Sequence, residues 1–207
     1  MRRFLWSGGT DITTGAKVAW ENVCKPKKEG GLGLKSLTLL NYTLNIKHVW
    51  GLLSNQNRSI WASWIHTYRL RGKSFWAIKA PSQFSWYWMK LLKMRDKIRP
   101  LLKHNIGNGC RTFLWFDNWH PLGPILEKFG NRIVYDSAIP LHAKVNVIIA
   151  GGEWHWPRTN TLELMEVRSQ MHLVDSPSEA LDTVCWIPSP SRKFSTHHTW
   201  DYLCLEL

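Results

Sequence analysis

The apolar residues of the sequence change their spacing near residue 103, and this change limits the folds that the chain can adopt. Across residues 36–54 they recur at steps of three and four, the spacing of one helical face. Ser36 is a suitable N-cap for this helix. Two more helices are predicted, at residues 60–68 and 84–98, before Pro100 interrupts the pattern. The first half is therefore predicted to be helical.

Beyond residue 103 the sequence favours short, irregular elements. Asn108 and Gly109 form a favoured pair for a tight hairpin turn, and the aromatic residues after them favour a strand. We therefore predict a short β-hairpin near residues 106–116. Prolines and glycines then divide residues 121–157 into short pieces. The expected fold is mainly α with a small irregular α+β C-terminal part.

These patterns divide the chain into three predicted regions. The first, residues 1–104, is a basic helical region. The second, residues 105–190, is an irregular α+β segment that contains the Gly-Asn-Gly turn and a brief amphipathic helix near residues 161–171. The third, residues 191–207, ends in what is predicted to be the first turn of another helix.

Charge and aromatic content point to a polyanionic partner. The net charge is +12 and the chain holds 14 tryptophans. Residues 1–110 carry 19 lysines and arginines against 4 acidic residues, whereas residues 111–207 carry 8 against 11. Cationic side chains with interleaved aromatic rings suit nucleic acid, because they neutralise phosphates and stack on bases. The candidate binding residues are Lys25, Lys27, Lys28, Lys35, Arg69, Arg71, Lys73, Lys90, Lys93, Arg95, Lys97, Arg99 and Lys103.

Each part of this pattern has an ordinary structural alternative. A single basic cluster can be the solvated face of a helix, and tryptophans at helical spacing are usually core residues. The aromatic residues considered as stacking platforms are Trp50, Trp76, Trp86, Tyr87 and Trp88.

The sequence offers little support for catalysis, metal binding or membrane insertion. No two acidic residues are adjacent, so the carboxylate cluster needed for metal-dependent phosphoryl transfer is missing. The four cysteines are widely separated, and Asp117 with His120 lacks a second ligand pair. There is no apolar run near eighteen residues. We therefore predict no catalytic residues, no metal, no cofactor, no membrane partner and an intracellular location.

Six blocks of the sequence form a recognisable series in chain order: RRFLWSG, KVAWENVCKPKKEGGLGLKSL, LNIKHVWGLL, LRGKSFW, IGNGCRTFLWFDNWHPLGPI and RKFSTHHTWDYL. In this order and at this spacing they resemble the C-terminal region of the reverse transcriptases of plant non-LTR (LINE-type) retrotransposons. In that family the polymerase lies upstream, and a zinc-binding segment and often an RNase H domain lie downstream.

The resemblance implies a fragment of the polyprotein that lies between the polymerase and the zinc-binding module. Residues 1–104 would then be thumb-like, and residues 191–207 would be the truncated start of the zinc-binding region. The expected partners are RNA or an RNA–DNA hybrid and the upstream polymerase domain, with the nucleus as the implied location. The chain by itself would not be an enzyme.

The block IGNGCRTFLWFDNWHPLGPI, residues 106–125, is called the signature block. The resemblance gives it a position in the family but no catalytic role. We expect its residues to be structural, with Trp115 and Trp119 buried. They are Gly107, Asn108, Gly109, Arg111, Trp115, Asp117, Asn118 and Trp119. Two other interpretations stay open at this point: a non-functional relic of a decayed retroelement, and a host-domesticated module that binds protein.

Overall fold

A computed structural model of the chain describes residues 18–25, 27–34, 36–54, 59–79, 85–158 and 161–206. The candidate binding residue Lys35 and the side chain of Lys28 lie outside this description. The α-helices are α1 (Trp20–Cys24), α2 (Leu37–Leu53), α3 (Ile60–Trp64), α4 (Trp86–Lys93), α5 (Arg95–Ile98), α6 (Ile125–Phe129), α7 (Arg132–Ser137), α8 (Leu162–Ser169) and α9 (Thr196–Glu206). The strands are β1 (Leu102–Asn105), β2 (Ile149–Ala150), β3 (Glu153–Trp154) and β4 (Thr183–Trp186).

Short turns of other helical types join these elements. A π-helical turn, Ile65–Leu70, continues α3, and 3₁₀ turns follow at Phe75–Ala77, Arg99–Leu101, Val145–Ile148 and Met171–Leu173. The predicted class is confirmed: the chain is mainly α, with two small two-stranded antiparallel sheets. No helix in the described ranges is both long and apolar enough to cross a bilayer.

The predicted helix at residues 36–54 is confirmed as α2. The Ser36 hydroxyl accepts a long hydrogen bond, 3.5 Å, from the Leu39 N–H at the start of the helix. Ile46, Val49 and Leu52 are buried at steps of three, so the periodicity read from the sequence corresponds to the core face.

The other two predicted N-terminal helices are present but interrupted. Helix α3 changes into the π-helical turn at Ile65, and the turn ends at Arg71, which has a left-handed backbone (φ 47°). Helix α4 begins at Trp86, where the Ser85 hydroxyl accepts a hydrogen bond from the Trp88 N–H at 3.3 Å. Met94 separates α4 from α5.

The helical layer encloses the first core, which also takes residues from the far end of the chain. Its buried members are Ile46, Val49, Trp50, Leu52, Ala62, Ile65, Leu70, Phe75, Trp88, Leu91, Leu92, Met94, Ile98, Leu101, Leu102, Val184, Trp186 and Leu203. Strand β1 pairs antiparallel with β4, with Leu102 opposite Trp186. The Trp186 ring then meets the Trp50 ring edge-on at 5.9 Å. The end of the chain therefore packs against its helical first half.

Helix α9 is longer than the single turn expected from the sequence. It runs over Thr196–Glu206, and it packs against α2 with Thr199 and Leu203 buried. The apolar contact with α2 supplies the stability that a short isolated helix lacks.

The second core lies in the short elements between β1 and β4. Its buried members are Leu114, Trp115, Phe116, Trp119, Ile125, Ile133, Ile139, Val145, Ile148, Leu164, Val167 and Met171. The predicted helix near residues 161–171 is confirmed as α8, which supplies Leu164 and Val167. The predicted burial of Trp115 and Trp119 is also confirmed, since they are 0% and 2% exposed.

The predicted hairpin near residues 106–116 is wrong. Gly109 has a positive φ of 69° but Asn108 does not, so the pair cannot form the turn in which both residues are left-handed. Residues 107–112 form a series of bends, and Phe113 makes only an isolated bridge to Lys144. The physical reason is a competing acceptor: the backbone N–H groups of this loop bond to the Asp182 carboxylate instead of to a neighbouring strand.

Candidate functional site

Most of the candidate cations in the first half point to solvent. Exposed side chains belong to Lys25, Lys27, Arg69, Arg71, Lys73, Lys93, Lys97 and Lys103, and Lys90 is half-buried. They are distributed over the helical layer, the turns that join its helices and strand β1. The structure therefore places many positive charges where a polyanion can reach them.

Two of the candidate arginines are instead occupied within the protein. Arg95 donates hydrogen bonds from Nη1 to the carbonyl oxygens of Phe75, Trp76 and Ile78 at 3.1, 2.9 and 2.8 Å. Arg99 bonds to Glu127 at 2.9 Å and to the Phe116 carbonyl. Burial lowers the pKa of both guanidinium groups below the usual arginine range. Arg95 fixes the 3₁₀ turn Phe75–Ala77, and Arg99 links the helical layer to the second core.

The exposed aromatic rings are only partly those expected. Trp50 and Trp88 are buried in the first core, and Trp76 and Tyr87 are half-buried. Trp86 is 76% exposed, and the Lys90 ammonium lies 5.2 Å from its ring centroid.

An exposed aromatic pair that is not among the predicted stacking platforms, Trp64 and Tyr68, lies on α3 and the π-helical turn. Their rings are exposed and 5.6 Å apart, with the Arg69 guanidinium 5.2 Å from the Trp64 ring. The i, i+4 spacing of two aromatic residues beside an arginine was the available signal. Cation–aromatic pairs of this kind can stack on bases.

The signature block holds its own loops together through side-chain hydrogen bonds. Asp117 is buried and accepts hydrogen bonds from the Trp76 indole at 2.8 Å and the Phe113 N–H at 2.7 Å. Asn118 donates to the Leu102 carbonyl at 2.7 Å. The Trp119 indole donates to the Leu114 carbonyl at 2.9 Å.

His120 is held in its neutral form by two opposite hydrogen bonds. Nε2 lies 3.1 Å from the Val167 carbonyl, and Nδ1 accepts from the Leu122 N–H at 3.2 Å. Only a neutral ring can donate at one nitrogen and accept at the other. Burial lowers the pKa of His120 to about 4, although the bond to the Val167 carbonyl opposes this change. Both nitrogens of the neutral His120 ring are therefore used in hydrogen bonds to the backbone, and the residue has a structural role.

Asp182 is the anchor of the Gly-Asn-Gly loop, and the sequence analysis missed it. Its Oδ1 accepts from the N–H groups of Gly107 and Gly109 at 2.9 and 2.8 Å. Its Oδ2 accepts from the N–H groups of Arg111 and Thr112 and from the Thr112 hydroxyl, at 2.9, 3.0 and 3.0 Å. Burial by itself would raise the pKa of Asp182, but these hydrogen bonds outweigh it and lower the pKa.

Gly107 and Gly109 are needed because other parts of the backbone approach this loop too closely to leave room for a side chain. A side chain at Gly107 would place its Cβ 2.0 Å from the Ala180 carbonyl oxygen, and one at Gly109 would meet the Asn146 nitrogen at 2.5 Å. A single sequence gives no direct signal that Asp182, about seventy residues away, fills the loop.

A polar cleft of about 240 Å³ lies between the first core and this loop. Lys73, Arg111 and Lys144 contribute positive charges to its walls, and Asp117 and Asp182 contribute negative ones. The Lys144 ammonium donates to the Arg111 carbonyl at 2.9 Å and lies 3.1 Å from the Phe113 ring centroid. Burial lowers the pKa of Lys144 to about 8, although the two aspartates favour its charged form.

Two buried polar atoms on residues that line this cleft have no hydrogen-bond partner among the described residues. They are Nδ1 of His104 and the hydroxyl oxygen of Ser54. The other His104 nitrogen, Nε2, is 3.9 Å from the Asp117 carboxylate. Buried polar atoms are usually satisfied by protein groups or by water, so these two atoms can bond to a polar group that enters the cleft.

The described ranges contain no cluster of three or more His, Cys, Asp or Glu side chains that could hold a metal ion. The neighbouring histidines His197 and His198 lie on α9, where His197 pairs with Asp201 at 2.6 Å. Glu153 and His155 are exposed, and the four cysteines are free thiols.

The chain is similar to two proteins of Arabidopsis thaliana. One is named a ribonuclease H protein; it is 28% identical over 211 residues, which cover 99% of this chain and 33% of that protein. The other is an uncharacterized mitochondrial protein, 26% identical over 130 residues, which cover 60% of this chain and 84% of that protein. The chain thus spans about a third of the length of the first relative. No protein-family profile and no solved structure matches it.

Proposed function

We propose that the chain is a segment of the polyprotein of a plant non-LTR retrotransposon and that it binds RNA or an RNA–DNA hybrid without strong sequence preference. The observation that carries the proposal is the pairing of exposed rings with cations on the helical layer. Arg69 lies over Trp64, and Lys90 lies over Trp86. Rings stack on bases of any identity, and the exposed lysines and arginines neutralise phosphates.

The comparisons support the polyprotein part of this proposal. A relative whose name refers to a nucleic-acid enzyme contains a region similar to nearly all of this chain, within a protein about three times as long. The sequence blocks quoted above resemble the region that follows the polymerase domain in such elements. In this proposal the chain contributes binding surface, and the polymerase domain upstream contributes catalysis.

Filter binding to labelled single-stranded RNA tests the binding function. We expect affinity to fall steeply between low and physiological salt, with a logarithmic slope of about −0.7 for each phosphate neutralised. Trp86→Ala should weaken binding with little effect on this slope, because it removes stacking and leaves the charges. Leu162→Ala is the matched control, since Leu162 is also exposed and apolar but lies in the second half. Absent or salt-independent binding would contradict the proposal.

A protein-binding module is the second candidate function, and one feature favours it. Ile60 is 89% exposed and lies one helical turn before Trp64 and two before Tyr68, which makes an apolar stripe on the surface. Binding of a protein partner that persists at high salt and is lost in Ile60→Asp would support this candidate. The relic interpretation makes a different prediction, since a chain without selected structure should show no cooperative thermal transition.

A further inference from the structure

The polar cleft between the first core and the Gly-Asn-Gly loop has the composition of an anion site. Lys73 and Arg111 are exposed at its walls, and Lys144 is half-buried. The two carboxylates in the cleft are already engaged: Asp182 accepts from the loop, and Asp117 accepts from Trp76 and Phe113. Three cations against two carboxylates leave one positive charge.

Unused hydrogen-bonding capacity is an independent observation that points to a ligand. His104 and Ser54 are both more than nine-tenths buried, and each has a polar atom without a partner among the described residues. The Ser54 hydroxyl can donate a hydrogen bond, and Nδ1 of His104 donates one in the appropriate tautomer. Both groups therefore suit oxygen atoms of an anion.

The size of the cleft limits which anion can enter. A volume of about 240 Å³ is below the roughly 300–1,000 Å³ of typical small-molecule sites. The cleft is large enough for a phosphate group but small for a whole nucleotide. A single phosphate group of a nucleic-acid strand fits this volume when the rest of the strand stays outside the cleft.

The cleft and the exposed aromatic pair Trp64 and Tyr68 share one helical segment. His66 and Leu70 line the cleft, and they belong to the same π-helical turn that carries Tyr68 and Arg69. Trp64 lies immediately before this turn. Residues two apart on a helix face different sides, so a strand that stacks on Trp64 and Tyr68 would reach the cleft by crossing the end of this segment, where Gly72 and Lys73 line it.

We propose that the cleft seats one phosphodiester of a bound nucleic-acid strand, held by the ammonium groups of Lys73 and Lys144 and the guanidinium of Arg111. His104 and Ser54 would supply neutral hydrogen bonds to the same phosphate. This proposal rests on the proposed function, and it adds the place where the backbone of the strand is fixed. A phosphodiester carries one negative charge, which matches the single excess positive charge of the cleft.

Salt-dependent filter binding with the full chain and single-stranded RNA tests the assignment. We expect Lys73→Ala and Arg111→Ala each to weaken binding roughly fivefold at low salt and to reduce the magnitude of the salt slope by up to about 0.7. Lys193→Ala and Arg158→Ala are matched controls, because both side chains are exposed and neither lines the cleft. Circular dichroism establishes that all four variants fold.

Alkylation of Cys110 by iodoacetamide gives a second measurement, because this exposed thiol lines the cleft. RNA should protect Cys110 and leave Cys204, which is exposed and does not line the cleft, reactive. Inorganic phosphate at the same phosphate concentration should protect Cys110 much less.

Each outcome separates the two proposals. RNA binding that is equally sensitive to all four cation variants, or to none, overturns the cleft assignment and leaves the proposed function standing. Protection of Cys110 by inorganic phosphate as well as by RNA identifies a free-anion site and overturns the assignment to a strand. If the unmodified chain does not bind RNA at low salt, the proposed function fails and the cleft assignment fails with it.

Discussion

The first and second cores of this protein are stabilised in different ways. The first core is a layer of helices whose apolar residues recur with helical spacing, so hydrophobic burial both forms and orients its elements. The second core is assembled from short helices and bends. Its loops are positioned by buried carboxylates and indole N–H groups, with Asp117 and Asp182 as the principal acceptors. The first core is stabilised by apolar residues at helical spacing, whereas the second core also needs individual polar contacts to position its loops.

The largest effect should come from removing the polar anchor of the loop. Asp182→Ala deletes five hydrogen bonds and leaves four backbone N–H groups without their acceptor. We expect the free energy of unfolding to fall by about 4 kcal/mol, because buried unsatisfied donors cost about 1–3 kcal/mol each and the loop relaxes in part. Urea denaturation followed by circular dichroism measures this loss.

Asp175→Ala is the control, since Asp175 is exposed and precedes β4 in the same segment. It should change stability by less than about 0.5 kcal/mol. A similar loss in both variants would mean that the loop is not anchored by Asp182, and the contrast between the cores would lose its main support.

The next effect compares the two cores directly through two leucines that are both fully buried. Leu91 belongs to α4 in the first core, and Leu164 belongs to α8 in the second. We expect Leu91→Ala to lower the free energy of unfolding by about 3 kcal/mol and Leu164→Ala by about 2 kcal/mol. The loss is smaller where the surrounding residues can move into the cavity that the substitution leaves. Short elements joined by bends should move more readily than packed helices.

Parallel urea denaturation of the two leucine variants measures the difference. Lys93→Ala, an exposed change in α4, should cost little and serves as the reference. A larger cost for Leu164→Ala would show that the second core is the more rigid of the two.

These differences explain how much could be predicted from the sequence. Helix α2 was predicted with its N-cap because Ile46, Val49 and Leu52 repeat at helical spacing. The hairpin prediction was wrong because Asn108 and Gly109 have the right identities for a turn, but the loop is shaped by Asp182 far along the chain. Residue patterns within a short window predict interactions between neighbours in the sequence. They give no information about Asp182, which bonds to this loop from about seventy residues away.

The same distinction applies to the candidate site. Exposed cations such as Lys73 could be predicted from charge, whereas Arg95 has the same charge but bonds to three backbone carbonyls. The cleft was not predicted, because Lys144 and His104 meet there only through the tertiary fold. Composition indicates a class of ligand, and geometry decides which cations can reach it.

A pH-dependent effect should come from His120 in the second core. The folded pKa is about 4, and the unfolded pKa is the ordinary 6.5. As the pH falls from about 6.5 to about 4, the unfolded chain gains a proton that the folded chain does not, so stability is lost across this window. We expect the loss to be about 2–3 kcal/mol for this group, since the folded ring itself begins to gain a proton as the pH approaches 4.

Denaturation of the unmodified chain and of His120→Gln between pH 7 and pH 4 measures this contribution. The variant should be less stable at pH 7 but should lose less stability on acidification. His155→Gln, at an exposed position, should keep the full pH dependence. Equal slopes in the His120 variant and the unmodified chain would show that the ring is protonated in the folded state.

The smallest of these effects tests the junction between the two cores. Trp76 packs against both of them, and its indole donates to Asp117 at 2.8 Å. Trp76→Phe keeps a ring beside Arg99 but removes the donor, and we expect a loss of about 1.5 kcal/mol, typical of a hydrogen bond to a charged group. The exposed change Trp86→Phe is the control and should be neutral.

A double-mutant cycle decides whether that loss belongs to the hydrogen bond or to packing. Asp117→Ala removes the acceptor, so the two changes at Trp76 and Asp117 should be non-additive by about 1 kcal/mol if the bond joins the cores. Additive losses would mean that Trp76 contributes through its ring alone. In that case the polar contacts would stabilise only the second core itself. The two cores would then be joined by apolar packing and the β1–β4 ladder.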